Sequence, residues 1–225
     1  MALFDSKADT YDDFCETPLG HFVNEVERNM IASSAVPKPN ERAIDLGCGT
    51  GTYTTWLQTL GLQACGVDVS QGMLDTARRK SNNPDVFIQA DLRKLPFQNE
   101  TFDLAIANVV LEFVSEPETV VKEARRILRP GGRLVIGFIG KNSLWGQKYL
   151  RRGEEDPSSV YHHARFFSVR EAASLGWKPP GMASFGLYVG PDEFVDEQSA
   201  WELETLRTVE VSRETAGFFV LRWEN

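Results

Sequence analysis

From Arg42 to Gly140, short apolar runs alternate with helix-patterned segments: AIDL, TYTTWLQTL, ACGVDV, MLDTARRK, VFIQAD, FDLAIANVV, VVKEARRIL and RLVIGFIG. Strands joined through helices pair in parallel, and the right-handed crossover places those helices on both faces of one sheet. The rhythm therefore predicts an α/β fold in which this stretch supplies five strands of a doubly wound sheet. A length of 225 residues suits one domain with a substantial core.

Local signals mark the boundaries. Ser70 is placed to cap MLDTARRK, whose Arg78, Arg79 and Lys80 fall in the last turn. Ser115-Glu116-Pro117-Glu118 reads as a capping box, and the helix it opens runs to Pro130-Gly131-Gly132. Residues 8–35 read as largely helical, with Phe22, Val26 and Met30 on one face. Residues 141–165 read as polar and irregular, with GEEDPSS an exposed loop. A short helix at Val169 to Leu175 follows, then strands at ASFGLYV and GFFVLRW, separated by an acidic helix around Trp201 to Thr208. The single domain thus divides into a helical lid over residues 1–40, a ligand-binding core over 41–140, and an insertion plus final strands over 141–225.

In an open parallel sheet, ligands bind beyond the carboxyl ends of the strands. Asp45, Asp68, Asp91 and Asn108 occupy those ends, and Gly47-Cys48-Gly49-Thr50-Gly51 follows the first. Bare N–H groups at a helix start suit an anion. A phosphate does not fit, because the dinucleotide fingerprint GxGxxG meets Thr52 at its third glycine, GK[ST] is absent, and Asp45 repels a pyrophosphate. These features count against an NAD-dependent oxidoreductase and favour a cationic ligand.

S-adenosylmethionine meets the requirement, with an ammonium, a sulfonium, a carboxylate that glycine N–H groups can receive, and no phosphate. In this reading Asp45 meets the amino-acid end, and Gly47, Gly49 and Gly51 let the backbone approach. Asp68 follows at the spacing at which an acid reaches a ribose diol. Asp91 accepts from the adenine amine between apolar walls of Val69, Met73 and Leu92.

The balance of 24 Lys plus Arg against 32 Asp plus Glu, a formal net charge of −8, opposes nucleic acid and anionic membranes as partners and favours a small-molecule acceptor. Cys15, Cys48 and Cys65 show no CxxC spacing, so no metal is expected. The start lacks a basic head followed by an apolar run, and no segment reads as a membrane span. A reduced, cytoplasmic chain is expected, and no motif specifies its oligomeric state.

The pieces "AIDLGCGTG", "GVDVSQGML", "ADLRKLPFQNETFDLAIA" and "EARRILRPGGRLVIG" stand in order over about a hundred residues. They resemble the class I S-adenosylmethionine-dependent methyltransferases, in the subgroup similar to ubiquinone and menaquinone biosynthesis enzymes. The resemblance implies a Rossmann-like seven-stranded sheet in the order 3-2-1-4-5-7-6 with strand seven antiparallel. It implies cofactor contacts from Asp45, Gly47, Cys48, Gly49, Gly51, Asp68, Asp91 and Leu92, from Asn108 on the fourth strand, and from an N-terminal Tyr11 closing over the site. Many relatives carry a His shortly after the fourth strand, where this chain has Glu112 and Phe113.

No catalytic residue therefore transfers directly, and Tyr11, Glu112 and His162 are the candidates for orienting a nucleophile. His162 and His163 lack the companions of a metal site. Trp145, Tyr149, Tyr161, Phe166 and Phe167 either wall a substrate pocket or pack the insertion onto the sheet. The leading reading is methyl transfer to a small or medium-sized, partly hydrophobic acceptor. The alternative is a non-catalytic S-adenosylmethionine-binding protein with a partner interface.

Overall fold

The computed structural model describes residues 2–225. Helix α1 (Pro18–Ala35) starts where the Thr17 side chain accepts from the Gly20 N–H at 3.0 Å, with Pro18 tolerated in the first turn. Phe22, Val26 and Met30 lie on its buried face. Upstream of it the chain forms two 3-10 turns, Asp5–Lys7 and Tyr11–Glu16, so the expected helix over 8–35 begins ten residues late. Three aspartates and a threonine in that stretch favour local turns over a continuous helix.

The core alternates as its sequence pattern requires: β1 (Arg42–Leu46), α2 (Thr52–Thr59), β2 (Gln63–Asp68), α3 (Gln71–Lys80), β3 (Phe87–Gln89), β4 (Phe102–Asn108), α4 (Pro117–Ile127) and β5 (Leu128–Ile139). Ser70 caps α3 by accepting from the Met73 N–H. The expected capping box at Ser115 does not form. Helix α4 starts one residue later with Glu116 at its cap and no side-chain cap bond, because Arg93 engages both Ser115 and Glu116.

Beyond the core follow α5 (Leu144–Glu155), α6 (Val169–Ala173), β6 (Met182–Gly186), α7 (Glu197–Glu210) and β7 (Phe218–Glu224). Helix α5 corrects the irregular reading of 141–165. Ser143 caps it, accepting from the Gly146 N–H at 2.9 Å, and its packed face uses Trp145, Tyr149 and Gly153 beside a partly buried Leu150. Gly153 lies against the Tyr161 backbone, where any side chain would collide. A helix face built on aromatics and glycine leaves little aliphatic periodicity to read.

The seven strands form one sheet in the order β3-β2-β1-β4-β5-β7-β6. Strands β1 to β5 pair in parallel, and β7 runs antiparallel to both β5 and β6. Strand alternation sorts side chains into two apolar layers. Leu134, Ile136, Phe138, Phe219, Leu221 and Trp223 face the layer under α4 and α6, whereas Val135, Phe218 and Val220 face the layer under α1.

At the amino end of β5 the alternation turns Arg133 inward, 7% exposed. Its guanidinium donates to the carbonyls of Ala35 and Val36, closing the end of α1, and pairs with Glu41 at 2.6 Å. It thereby steadies Val36, a β-branched residue held in the left-handed region at φ 44°. Arg133→Leu strips the acceptors at the end of α1 and leaves Glu41 half-enclosed without its cation. The expected loss is about 3 kcal/mol of stability, read as a lower urea midpoint at unchanged slope. A midpoint equal to that of the parent protein would contradict this account.

Candidate active site

A cavity opens beyond the carboxyl ends of β1, β2 and β4, with about 960 Å³ of empty space including its mouth. That is the size range of small-molecule sites. Its walls bring together Tyr11, Gly47, Gly49, Asp68, Val69, Met73, Asp91, Leu92 and Asn108, residues spread over a hundred positions of sequence. Asp45, Cys48 and Gly51 stand behind that wall. Cys48 packs with Leu74, Ala77 and Phe87, and Gly51 lies against Phe87 and Ala77.

The turn after β1 is shaped by its neighbour strand. Asp68 accepts from the Gly49 N–H at 2.9 Å and, through its other oxygen, from the Ser70 N–H at 2.8 Å. Each carboxylate oxygen keeps an unused lone pair, and burial raises the Asp68 pKa above the ordinary carboxylate value. Gly49 adopts φ +51°, and the position of a Cβ there meets no atom within 4 Å, so the cavity reaches the bare backbone.

Asp45 is 2% exposed and accepts from the Thr54 hydroxyl at 2.7 Å. Burial pushes its pKa up to about 7, against the opposing effect of the Thr54 bonds. Asp91 lies just past β3 rather than on it, and Arg93 grips its carboxylate at 2.6 Å, holding its pKa below the usual range.

The N-terminal residues cross the mouth. Ala2, Leu3 and Phe4 line the cavity with Val109, Val110, Phe113 and Val114, and the Phe4 ring meets Phe113 edge-on with centroids 4.9 Å apart. The Ser70 hydroxyl donates to Asp5 at 2.6 Å and the Thr50 hydroxyl to Asp12 at 2.7 Å, fastening this stretch to the turns below. Tyr11 keeps 46% of its surface exposed, while its hydroxyl end lies desolvated beside Tyr161 and Glu27, which pushes its pKa up.

Of the other candidates, neither Glu112 nor His162 lines the cavity. Glu112 is 1% exposed, accepts from the Ile139 N–H at 2.9 Å and has a second oxygen without a partner among the described residues. The His162 ring nitrogen Nδ1 lies 2.9 Å from the Gly153 carbonyl, tying the 3-10 turn Val160–His163 to α5. The aromatics divide: Trp145, Phe166 and Phe167 are buried in the two layers, and Tyr149 and Tyr161 stay partly open.

Glu27 was not singled out by the sequence. It projects from α1, and the Asn108 amide donates to it at 2.9 Å. Burial pushes its pKa up to about 7. The available signal was an acid one residue from the apolar Val26 stripe of a helix, a position shared by many solvated residues.

A family model described as a methyltransferase domain matches residues 44–136. The chain is 30% identical over 175 residues to an uncharacterized protein of Methanocaldococcus jannaschii, covering 78% of each. It is 35% identical over 137 residues to a demethylmenaquinone methyltransferase of Clavibacter sepedonicus, covering 60% of this chain and 56% of that one. It therefore spans little more than half the length of that named relative. Among solved structures, a Thermotoga maritima S-adenosylmethionine-dependent methyltransferase, described as a possible histamine N-methyltransferase, superposes with a TM-score of 0.72. That match has 25% identity and covers 99% of this chain and 98% of the other.

The fold and these matches define an S-adenosylmethionine-dependent enzyme of the class I architecture. The chain belongs to the methyltransferase-domain family, whose model matches its core.

The buried carboxylates carry a pH signature in the free protein. The pKa values of Glu27 and Asp45 stand near 7 and that of Glu112 is pushed by burial up to about 8, so the folded state holds protons that the unfolded chain releases near pH 4. Their contribution is present below pH 4 and is lost as pH rises through 7 to 8. Tm should fall across pH 5 to 8, and Glu112→Gln should make that fall shallower. An unchanged slope in the variant would show that Glu112 does not hold its proton.

Proposed function

We propose that the protein transfers the methyl group of S-adenosylmethionine to a small or medium-sized acceptor with a partly hydrophobic body. The observation that carries this reading is the two-sided cavity. One side offers the free lone pairs of Asp68, the bare turn at Gly49 and the apolar strip Val69, Met73 and Leu92; the other is roofed by Leu3, Phe4, Val109, Phe113 and Val114. Bound there, the cofactor supplies a methyl carbon already activated by its sulfonium.

The residues of the chain then bind, align and exclude water. Asp68 is suited to accept from a ribose diol, because its backbone bonds fix both oxygens while leaving each an acceptor direction. Asp91 and Leu92 border the place of the adenine, and Asp45 supplies negative potential behind the glycine turn toward an ammonium. The stretch from Ala2 to Tyr11 acts as the lid. Because Asp5 holds Ser70, the lid covers the cofactor as well as the acceptor. Alignment in a dry site can contribute about 7–11 kcal/mol, so the reaction does not demand a strong base.

Asp68→Ala is expected to weaken S-adenosylmethionine and its demethylated product together by about 1.5–3 kcal/mol in calorimetry. Tm is read alongside, since two N–H groups lose their acceptor. The parent protein, given methyl-labelled cofactor and a cognate cell extract, should yield one labelled small molecule. Unaltered affinity in the variant, or label on no extract component, would sink the reading.

A further inference from the structure

Around Asn108 and Tyr11, both expected to touch the cofactor, the structure gathers further groups that the cofactor reading leaves unused. Glu27 accepts from the Asn108 amide, and no lysine or arginine pairs with it among the described residues. Four tyrosines lie within reach of its field: Tyr11, Tyr53, Tyr149 and Tyr161. Tyr149 and Tyr161 stack with centroids 4.3 Å apart. Tyr11 and Asn108 line the cavity, and Glu27 adjoins it through Asn108, with Tyr53, Tyr149 and Tyr161 set behind the lining.

Two atoms in this cluster, the Tyr53 hydroxyl oxygen and Asn108 Oδ1, are buried without a hydrogen-bond partner among the described residues. An unpaired buried polar atom costs about 1–3 kcal/mol, and a buried carboxylate without a cation costs more. Both atoms are enclosed by protein, Asn108 Oδ1 lying against Gly137; the group left open is the half-buried Glu27, with which a ligand bearing one positive charge would pair. The nearest cations, Arg28 and Arg152, are exposed; Arg152 covers a face of Tyr161 at 5.7 Å.

We propose that the methyl acceptor is an amine, whose ammonium docks on Glu27 beside Asn108 and Tyr11 while its apolar body lies under the lid. The proposal rests on the methyltransferase reading above. Tyrosine faces attract a desolvated cation. A neutral alcohol would leave Glu27 unpaired, and a carboxylate would set two like charges together.

The chemistry balances. Glu27 accepts a proton from the ammonium, which frees the nitrogen lone pair. That pair forms the new N–C bond as the methyl–sulfur bond breaks, with the bonding electrons kept on sulfur as a neutral thioether. The nitrogen takes the positive charge of the product, and Glu27 returns its proton to water. A carboxylate with a pKa near 7 is matched to this exchange at neutral pH.

The test uses the full chain saturated with S-adenosylhomocysteine. The probes are three ethyl-linked bodies, methyl, phenyl and indolyl, each carrying an amine, an alcohol or a carboxylate head. Calorimetry should show at least one amine binding tenfold or more tighter than its alcohol, with the carboxylate weakest. Glu27→Gln should abolish that preference, and Glu27→Asp should restore part of it. Both variants should hold S-adenosylhomocysteine within twofold of the parent. An alcohol or carboxylate that binds as well as its amine, a set in which no amine binds, or a preference that survives Glu27→Gln would overturn the proposal. Loss of S-adenosylhomocysteine binding by the parent protein would instead fail the underlying reading, and this proposal with it.

Discussion

The Asp68 carboxylate joins two backbones that the sequence holds far apart. By accepting from Gly49 and from Ser70, it fixes the turn after β1 against the turn after β2, and the cavity forms where those turns meet. The same side chain lines the cavity, so one carboxylate both braces the two turns and faces the ligand space. Ser70 then extends the connection, since its N–H reaches Asp68, its hydroxyl reaches Asp5 and its oxygen caps α3. Floor, wall and cover of the cavity are thus linked through a few hydrogen bonds at one strand end.

Much of this architecture was legible in the sequence because local patterns and fold rules agree along residues 42–140. Apolar runs gave the strands, Ser70 gave a helix start, and the four ordered motifs implied the strand order that the structure adopts. The failures have physical causes. Helix α5 was hidden by a packed face of Trp145, Tyr149 and Gly153, and the box at Ser115 lost its hydroxyl to Arg93. On the cavity, Asp68 was readable from its position after a strand. Glu27 was not, because its meaning comes from Asn108, 81 residues away.

Charge distribution follows a similar division. The chain carries a net charge of −8, and a share of its surface acids have cationic neighbours, as in the pairs of Arg126 with Glu123 and Arg129 with Asp103. Glu27, Asp45 and Glu112 lack such partners, and Asp45 and Glu112 are buried while Glu27 is half-buried. Their raised pKa values express the cost of confining acids without counter-charge. A ligand that brings positive charge into this interior would relieve that cost.

Strand β7 runs antiparallel between β5 and β6, and Asn225 exchanges backbone hydrogen bonds with Gly131 and Gly132 at 3.0 and 2.8 Å. That pairing lies at the amino end of β5, whereas Ala2 stands at the rim of the cavity beyond the opposite ends of the strands. The two extremities therefore occupy opposite poles. A fusion partner or surface tether joined through Asn225 would leave the cavity mouth free to exchange small molecules. The same attachment made at Ala2 would stand in the doorway.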